Sequence, residues 1–310
     1  MEFIKLGKTG EKISVIGIGT WKLGSDKKKE IAAIKHGISL GINLVDTAEM
    51  YANEEIIGEA ISGENVFIAT KVSPANFNEN SVIASCNSSL KKLGVKSIDL
   101  YQLHWPNYAV KITETMRAME KLMDDGKIRN IGVSNFSIKE LEEANTALKK
   151  YEIVSNQIEY SVLVRSVGDL LSDFCRKNKI TIIAYSPFGS GALYNKKYTE
   201  CFEILKKIGT AHMKTPSQVA LNWLISKGNI SAIPKASSIE HMTENATSIG
   251  WELSKSEIKK IDDLGQFKSP LSSKLNGFTK RTAPIWSNIM TNLEKRRIKK
   301  HSDTNYSSPE

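Results

Sequence analysis

Four ionisable side chains stand where apolar runs come to an end. "INLVDT" (Ile42 to Thr47) delivers Asp46, and Tyr51 lies in the stretch just beyond it. "VFIATKV" (Val66 to Val72) carries Lys71, and "IDLYQLHW" (Ile98 to Trp105) carries His104. A free phenol has a pKa of about 10, which makes it a poor proton donor to a reacting oxygen at neutral pH. An ammonium within hydrogen-bonding reach stabilises the phenolate and lowers that pKa, and a buried carboxylate keeps the ammonium charged. Tyr51, Lys71 and Asp46 supply such a set, and His104 can donate a hydrogen bond to the same oxygen.

A phenol tuned in this way, with a histidine beside it, suits the reduction of a carbonyl group. Hydrolysis is poorly served, because no activated nucleophile and no metal-ligand cluster is visible in the sequence. Each residue also has an ordinary explanation when taken alone. Asp46 and Lys71 could be a structural ion pair, His104 and Tyr185 satisfied core residues, and Asn135 and Gln157 turn or cap residues. The chemical reading rests on all of them converging.

Convergence requires a scaffold. Four further apolar runs follow: "IRNIGVSNF", "IVSNQIEY", "ITIIAYSPF" and "ISAIPKAS". With "VIGIGTW" (Val15 to Trp21) near the start, the runs number eight, mostly separated by the length of one strand–helix unit. The intervening segments carry helix signals. "SIKELEEANTALKK" has a capping box from Ser137 to Glu140, and "TPSQVALNWLISKG" opens on Thr215-Pro216 and closes on Gly228. Near-continuous apolar strands imply burial on both faces and a parallel sheet. The expected fold is an α/β (β/α)8 TIM barrel, a single domain over residues 1–298. An N-terminal β-hairpin in "FIKLGKTGEKIS" would plug its lower end. The irregular segment from Phe267 to about Ile298, with Pro270, Gly277, Pro284 and Trp286, would extend over the active-site face. Residues 299–310 are expected to be a disordered tail. In a barrel the upper ends of the strands carry the active site, which places Asp46, Lys71, His104, Ser134-Asn135, Asn156-Gln157, Tyr185 and Lys235 on one rim.

In order, "DTAEMY", "FIATKV", "DLYQLHWP", "IGVSNF", "NQIEYS", "AYSPFG" and "IPKAS…EN" resemble the signatures of the aldo-keto reductase family, over about Ile4 to Leu264. The resemblance implies an NAD(P)H-dependent reductase of aldehydes or ketones, with Asp46, Tyr51, Lys71 and His104 as its catalytic tetrad. It further implies that Ser134, Asn135 and Gln157 hold the nicotinamide carboxamide while Tyr185 stacks on the ring. The loop "SPFGSGAL", with Ser186, Phe188 and Ser190, would cover the pyrophosphate. Lys235 and Ser237 would face the adenosine 2′-phosphate, and Glu244 and Asn245 the adenine. Many members have an arginine six positions after the lysine, where this chain has His241. A guanidinium is always charged, whereas an imidazole is only partly charged at neutral pH. NADPH is the expected cofactor, with NADH left open. Trp21 and Trp105 are candidates for an apolar substrate pocket, while Met50, Tyr108 and Trp286 could serve either a pocket or packing. Some proteins resembling this family, such as potassium-channel β subunits, bind the cofactor and act mainly as regulatory partners. A docking module with slow or incidental catalysis is therefore the alternative reading.

Bulk composition narrows the classes. The 310 residues are 40% hydrophobic and 25% charged, as in an ordinary globular protein. No apolar run is long enough to span a bilayer, and no basic stretch precedes an apolar one at the start, so a cytoplasmic protein is expected. Three widely spaced cysteines, Cys86, Cys175 and Cys201, suit reduced thiols rather than a disulfide framework or metal site. Much of the formal net charge of +9 comes from "EKRRIKKH" (Glu294 to His301), read as a solvated helix end because no aromatic interleaving accompanies it. The expected partner is a small-molecule carbonyl compound, with no nucleic acid and no membrane, and the chain is expected to be a monomer without a metal.

Overall fold

The structure, a computed structural model, describes residues 1–165, 168–264 and 282–304. Phe3–Lys5 (β1) and Lys12–Ser14 (β2) form an antiparallel hairpin. Strand β3 (Ile18–Gly19) leads to helix α1 (Lys27–Ser39), and β4 (Leu44–Asp46) to α2 (Glu54–Ile61). The alternation continues with β5 (Phe67–Val72), α3 (Glu79–Leu93), β6 (Leu100–Leu103), α4 (Ile112–Asp124), β7 (Ile131–Ser134) and α5 (Ile138–Ala147). Then come β8 (Ile153–Glu159), α6 (Gly168–Lys177) and β9 (Thr181–Tyr185). Two helices, α7 (Thr199–His212) and α8 (Pro216–Ser226), precede β10 (Ile230–Ala232), so this unit holds one helix more than expected. Helices α9 (Ile239–Ala246), α10 (Lys255–Asp262) and α11 (Ala283–Thr304) complete the described chain. Helix α11 runs on through the boundary expected at residue 298. The rest of the expected tail, 305–310, and much of the expected extension, including Pro270 and Gly277, lie outside the described residues.

Strands β3 to β10 are parallel neighbours in sequence order. The sheet closes on itself, because Gly17 N–H donates to Ala232 O at 2.8 Å and Ala232 N–H to Val15 O at 2.9 Å. The result is the (β/α)8 barrel. Local chemistry supports it where the sequence signals lay. Ser137 with Glu140, and Thr215 with Gln218, form capping boxes at the starts of α5 and α8.

Strand alternation decides what faces the barrel axis. Leu44, Phe67, Ala69, Leu100, Ile183 and Ile233 fill the interior, joined from below by Leu6 and Ile13 of the hairpin. The hairpin is thus the plug at the lower end. Val45, Ile68, Tyr101, Ile131 and Ile182 face outward into the layer under the helices. The inward residues next along the strands are Asp46, Lys71, Gln102, Ser134, Tyr185 and Lys235, and these change from apolar to polar. Strand β8 would be out of step, since Val154 faces inward. A bulge corrects it: Ile131 pairs with Ile153, but Gly132 pairs with Ser155. The extra residue turns Gln157 to the axis and Asn156 outward, where its amide bonds Phe136 O at 2.9 Å.

The closing seam is tight. A Cβ on Gly19 would stand 2.5 Å from Ile233 O. Gly19→Ala is expected to force β3 and β10 apart and cost about 1–3 kcal/mol. A urea midpoint equal to that of the wild type would show that the seam can give.

Candidate active site

Lys71 is wholly buried, 0% exposed, and Asp46 is 2% exposed. The Lys71 Nζ donates to Asp46 Oδ1 at 2.5 Å and to Thr47 O at 2.7 Å. The other carboxylate oxygen, Oδ2, accepts from Gln157 Nε2 at 2.7 Å and from Gln102 Nε2 at 3.1 Å. Both oxygens of the buried carboxylate therefore have donors, which a desolvated ion pair needs in order to persist. Gln102 was not given a role in the sequence reading. The signal for it was the alternation back from His104, two residues on along the same face.

Tyr51 sits in a short 3-10 turn, Glu49–Tyr51, directly after β4. The turn is tied to the next loop by Glu49, whose Oε1 accepts from Ser73 N–H and from Asn76 Nδ2. The Tyr51 ring lies edge-on to the His104 ring, with centroids 5.6 Å apart, and the Lys71 Nζ is 5.1 Å from the Tyr51 ring centroid. His104 is itself held against Trp105, with ring centroids 4.9 Å apart. The four groups that are far apart in the sequence thus meet at one place.

Sequence reasoning expects Lys71 to lower the Tyr51 pKa, and the folded chain does the reverse. Removal from water, followed by the Asp46, Tyr185 and Glu294 charges, holds the phenol well above its ordinary range. The physical reason is burial, which penalises the phenolate, and the Lys71 ammonium that could have offset it is bonded to Asp46 and Thr47 O. Lys71 is itself lowered by burial, with Asp46 opposing the shift. His104 is held well below the ordinary histidine range by burial and by the Lys71 charge. At neutral pH the site therefore presents a protonated phenol beside a neutral imidazole.

Asp46, Tyr51 and His104 line a cavity of about 900 Å³ at the upper ends of the strands, with Lys71 buried behind them. Its wall takes in Trp21 and Trp105, Ser134, Asn135, Gln157 and Tyr185, the loop residues Ser186, Phe188 and Ser190, and Lys235. Tyr185 O–H donates to Asn135 Oδ1 at 2.9 Å, and Asn135 Nδ2 donates to Ser134 Oγ at 2.9 Å and His104 O at 3.2 Å. Four non-glycine wall residues, Lys22, Asn135, Ser186 and Ser190, have left-handed backbone (φ 65, 61, 49 and 56°). Such conformations are costly and gather at ligand sites. Met50 and Trp286 also reach the wall, together with Met290 and Glu294 of α11. Tyr108 does not; its hydroxyl donates to Glu140.

The outer group is less gathered. Lys235 Nζ donates to Ser237 Oγ at 3.1 Å. His241 and Glu244 pair on α9 at 3.3 Å, and Glu244 Oε1 also accepts from Thr215 Oγ1 at 2.6 Å. Asn245 is buried. None of Ser237, His241, Glu244 and Asn245 lines the cavity wall. Among the described residues, no cluster of three potential metal ligands exists, and no helix is long and apolar enough to cross a membrane.

Residues 15–266 match the model of the aldo/keto reductase family. The chain belongs to that family. A methylglyoxal reductase, YeaE of Escherichia coli (strain K12), is 38% identical over 259 residues, which is 81% of this chain and 90% of the relative. A solved thermostable aldo-keto reductase, bound to the inhibitor epalrestat, is 36% identical with a TM-score of 0.80, covering 86% of this chain and all of the other. An aldo-keto reductase from Klebsiella pneumoniae, solved with NADPH, is 31% identical with a TM-score of 0.80, covering 86% of this chain and 96% of the other. The family match ends at residue 266, before α11, so the wall residues from that helix lie outside the matched residues.

Two outcomes follow from the buried charges. Lys71→Met strands the Asp46 carboxylate without its cation and is expected to cost about 3–5 kcal/mol, while adding Asp46→Leu recovers part of the loss. Urea unfolding of the single and double variants checks this, and a double variant no better than the single would contradict it. His104 gives a pH effect. Its folded pKa lies below the ordinary value of about 6.5, so as the pH falls through that value the unfolded chain gains a proton that the folded chain refuses. Stability is therefore lost on acidification towards the folded value. Between about pH 7.5 and 5.5 the wild type should lose more stability than His104→Asn; equal losses would rule the effect out.

Proposed function

We propose that this chain reduces aldehydes or ketones to alcohols with a reduced nicotinamide dinucleotide, Tyr51 giving the proton to the carbonyl oxygen. The observation that carries the reading is the meeting of Tyr51, His104 and Asp46 on the wall of one cavity, with the Lys71 ammonium buried against Asp46 behind that wall. A carbonyl oxygen seated between Tyr51 and His104 receives hydrogen bonds from two neutral donors. The Tyr51 phenol is protonated at physiological pH, and the pull on its proton comes from the negative charge that gathers on the carbonyl oxygen rather than from a lowered pKa. The lowered His104 pKa keeps the imidazole neutral, so it orients the oxygen without competing for the role of acid. As negative charge gathers on the oxygen, the Lys71 ammonium beside the Tyr51 ring stabilises it, and Asp46 holds that ammonium in place.

The residues present suit a nicotinamide dinucleotide. Asn135 and Ser134 bring an amide and a hydroxyl to the carboxamide, and Gln157 keeps Oε1 for it while Nε2 serves Asp46. Tyr185, pinned by Asn135, offers a flat face to the ring. The left-handed loop at Ser186 to Gly191 brings backbone close to the phosphates. When bound, the reduced nicotinamide supplies the hydride for the carbonyl carbon. Lys235 with Ser237 favours NADPH through its 2′-phosphate, and His241, in place of an arginine, makes that preference a modest one. The methylglyoxal reductase among the relatives points to small 2-oxoaldehydes as substrates.

With methylglyoxal and NADPH the wild type should turn over, with NADH supporting a lower kcat/KM. Tyr51→Phe should lose about 10²–10⁴-fold in kcat while NADPH binding, read by nicotinamide fluorescence, stays as in the wild type. A Tyr51→Phe protein with undiminished kcat would remove the phenol from the chemistry. Tight NADPH binding without turnover of any aldehyde or ketone would make the chain a docking module instead.

A further inference from the structure

Helix α11, beyond the residues that the family model matches, brings a carboxylate to the cavity. Glu294 is 8% exposed and lies on the cavity wall with Trp286 and Met290 of the same helix. Its Oε2 accepts from Arg297 Nε at 2.7 Å, and Arg297 Nη2 donates to Leu23 O at 2.8 Å. That second bond ties the helix to the loop after β3, beside Trp21 and Lys22. The carboxylate is thus fixed in place rather than free to swing into solvent.

Among the described residues the cavity wall carries only two carboxylates, Asp46 and Glu294. Asp46 is matched by the wholly buried Lys71. Glu294 is matched by Arg297, but that cation also serves Leu23 O. Arg297 is not on the cavity wall, whereas Glu294 is, and after burial and the Asp46 and Tyr185 contributions Glu294 also opposes ionisation of the Tyr51 phenol. The described wall also carries two lysines, Lys22 and Lys235. Under the proposed function Lys235 faces a cofactor phosphate. A substrate held at Tyr51 therefore has the anionic Glu294 as a neighbour, while much of the positive charge is directed to the cofactor.

We propose that Glu294 selects substrates by charge, admitting neutral carbonyl compounds and disfavouring those that carry a carboxylate near the carbonyl group. The inference rests on the carbonyl-reductase reading and deepens it. The physical basis is repulsion between two anions in a cavity partly walled off from water, where charge interactions exceed their value in bulk solvent. Carboxylates are the class concerned: oxo-acids and aldehydo-acids.

The test uses 4-carboxybenzaldehyde and its methyl ester, which differ little except in charge. In the full-length protein with NADPH, the ratio of kcat/KM for ester over acid is measured for the wild type, Glu294→Gln and Glu294→Lys. The ratio is expected to fall by at least about threefold in Glu294→Gln and further in Glu294→Lys. Dissociation constants of the same two compounds on the protein loaded with NADP+, read by tryptophan fluorescence, should show the same trend. This second reading does not need turnover. Absence of turnover with the binding trend intact would defeat the catalytic reading and leave charge selection standing. An ester-to-acid ratio that is the same in all three proteins, by rate and by binding, would overturn the proposal. Retained NADP+ binding verifies that each variant is folded.

Discussion

The ion pair between Lys71 and Asp46 governs the upper end of this barrel. Two charges at the bottom of a cavity are tolerable only if nearly every lone pair and proton finds a partner. That demand recruits groups from neighbouring strands: Thr47 O beside β4, Gln102 from β6 and Gln157 from β8. The network stitches β4, β5, β6 and β8 together across the axis. Tyr51 and His104 rest against it, so their positions are inherited from a polar core rather than set by loops alone. The same pair adds to the electrostatics. Burial first keeps Tyr51 and His104 neutral, and the Asp46 charge reinforces it at the phenol and the Lys71 charge at the imidazole.

The barrel was legible because its physics is repetitive. Apolar runs at regular spacing, capping signals at Ser137 and Thr215, and a hairpin before the first strand each have a local cause. The polar residues at the strand ends could be picked out for the same reason: alternation brings Asp46, Lys71, His104, Tyr185 and Lys235 inward two residues beyond an apolar or another inward neighbour. What stayed hidden depended on non-local geometry. The bulge at Val154 decides that Gln157 faces the axis and Asn156 does not, and a bulge exists only when two strands pair. Gln102 escaped notice because a glutamine within an apolar run has no local signature of the carboxylate it serves. The direction of the Tyr51 shift could not be read either, since it depends first on how deeply the fold buries the phenol. The extra helix α7 lay in a stretch whose composition marks no boundary.

The outer part of the site shows a different division of labour. Around Tyr51 the groups are crowded and mutually bonded. Towards Lys235 they are fewer, more exposed and held mainly by contacts within α8 and α9. A rigid inner end suits proton transfer, which tolerates little displacement. An open outer end suits a long polyanionic ligand, whose phosphates can be bound by a few cations and by backbone in left-handed conformations.

The closing seam has a consequence for how the molecule is made. Ile16 pairs with Ala232, and Gly19 with Lys235, so the first barrel strand waits for the last. On a ribosome, the nascent polypeptide can lay down strand after strand while both sheet edges stay bare. The circle cannot shut until translation has passed Lys235, and α11 arrives later still. For most of its synthesis the chain carries unsheltered edges, which makes the interval before closure the period in which it is most exposed to aggregation or chaperone capture.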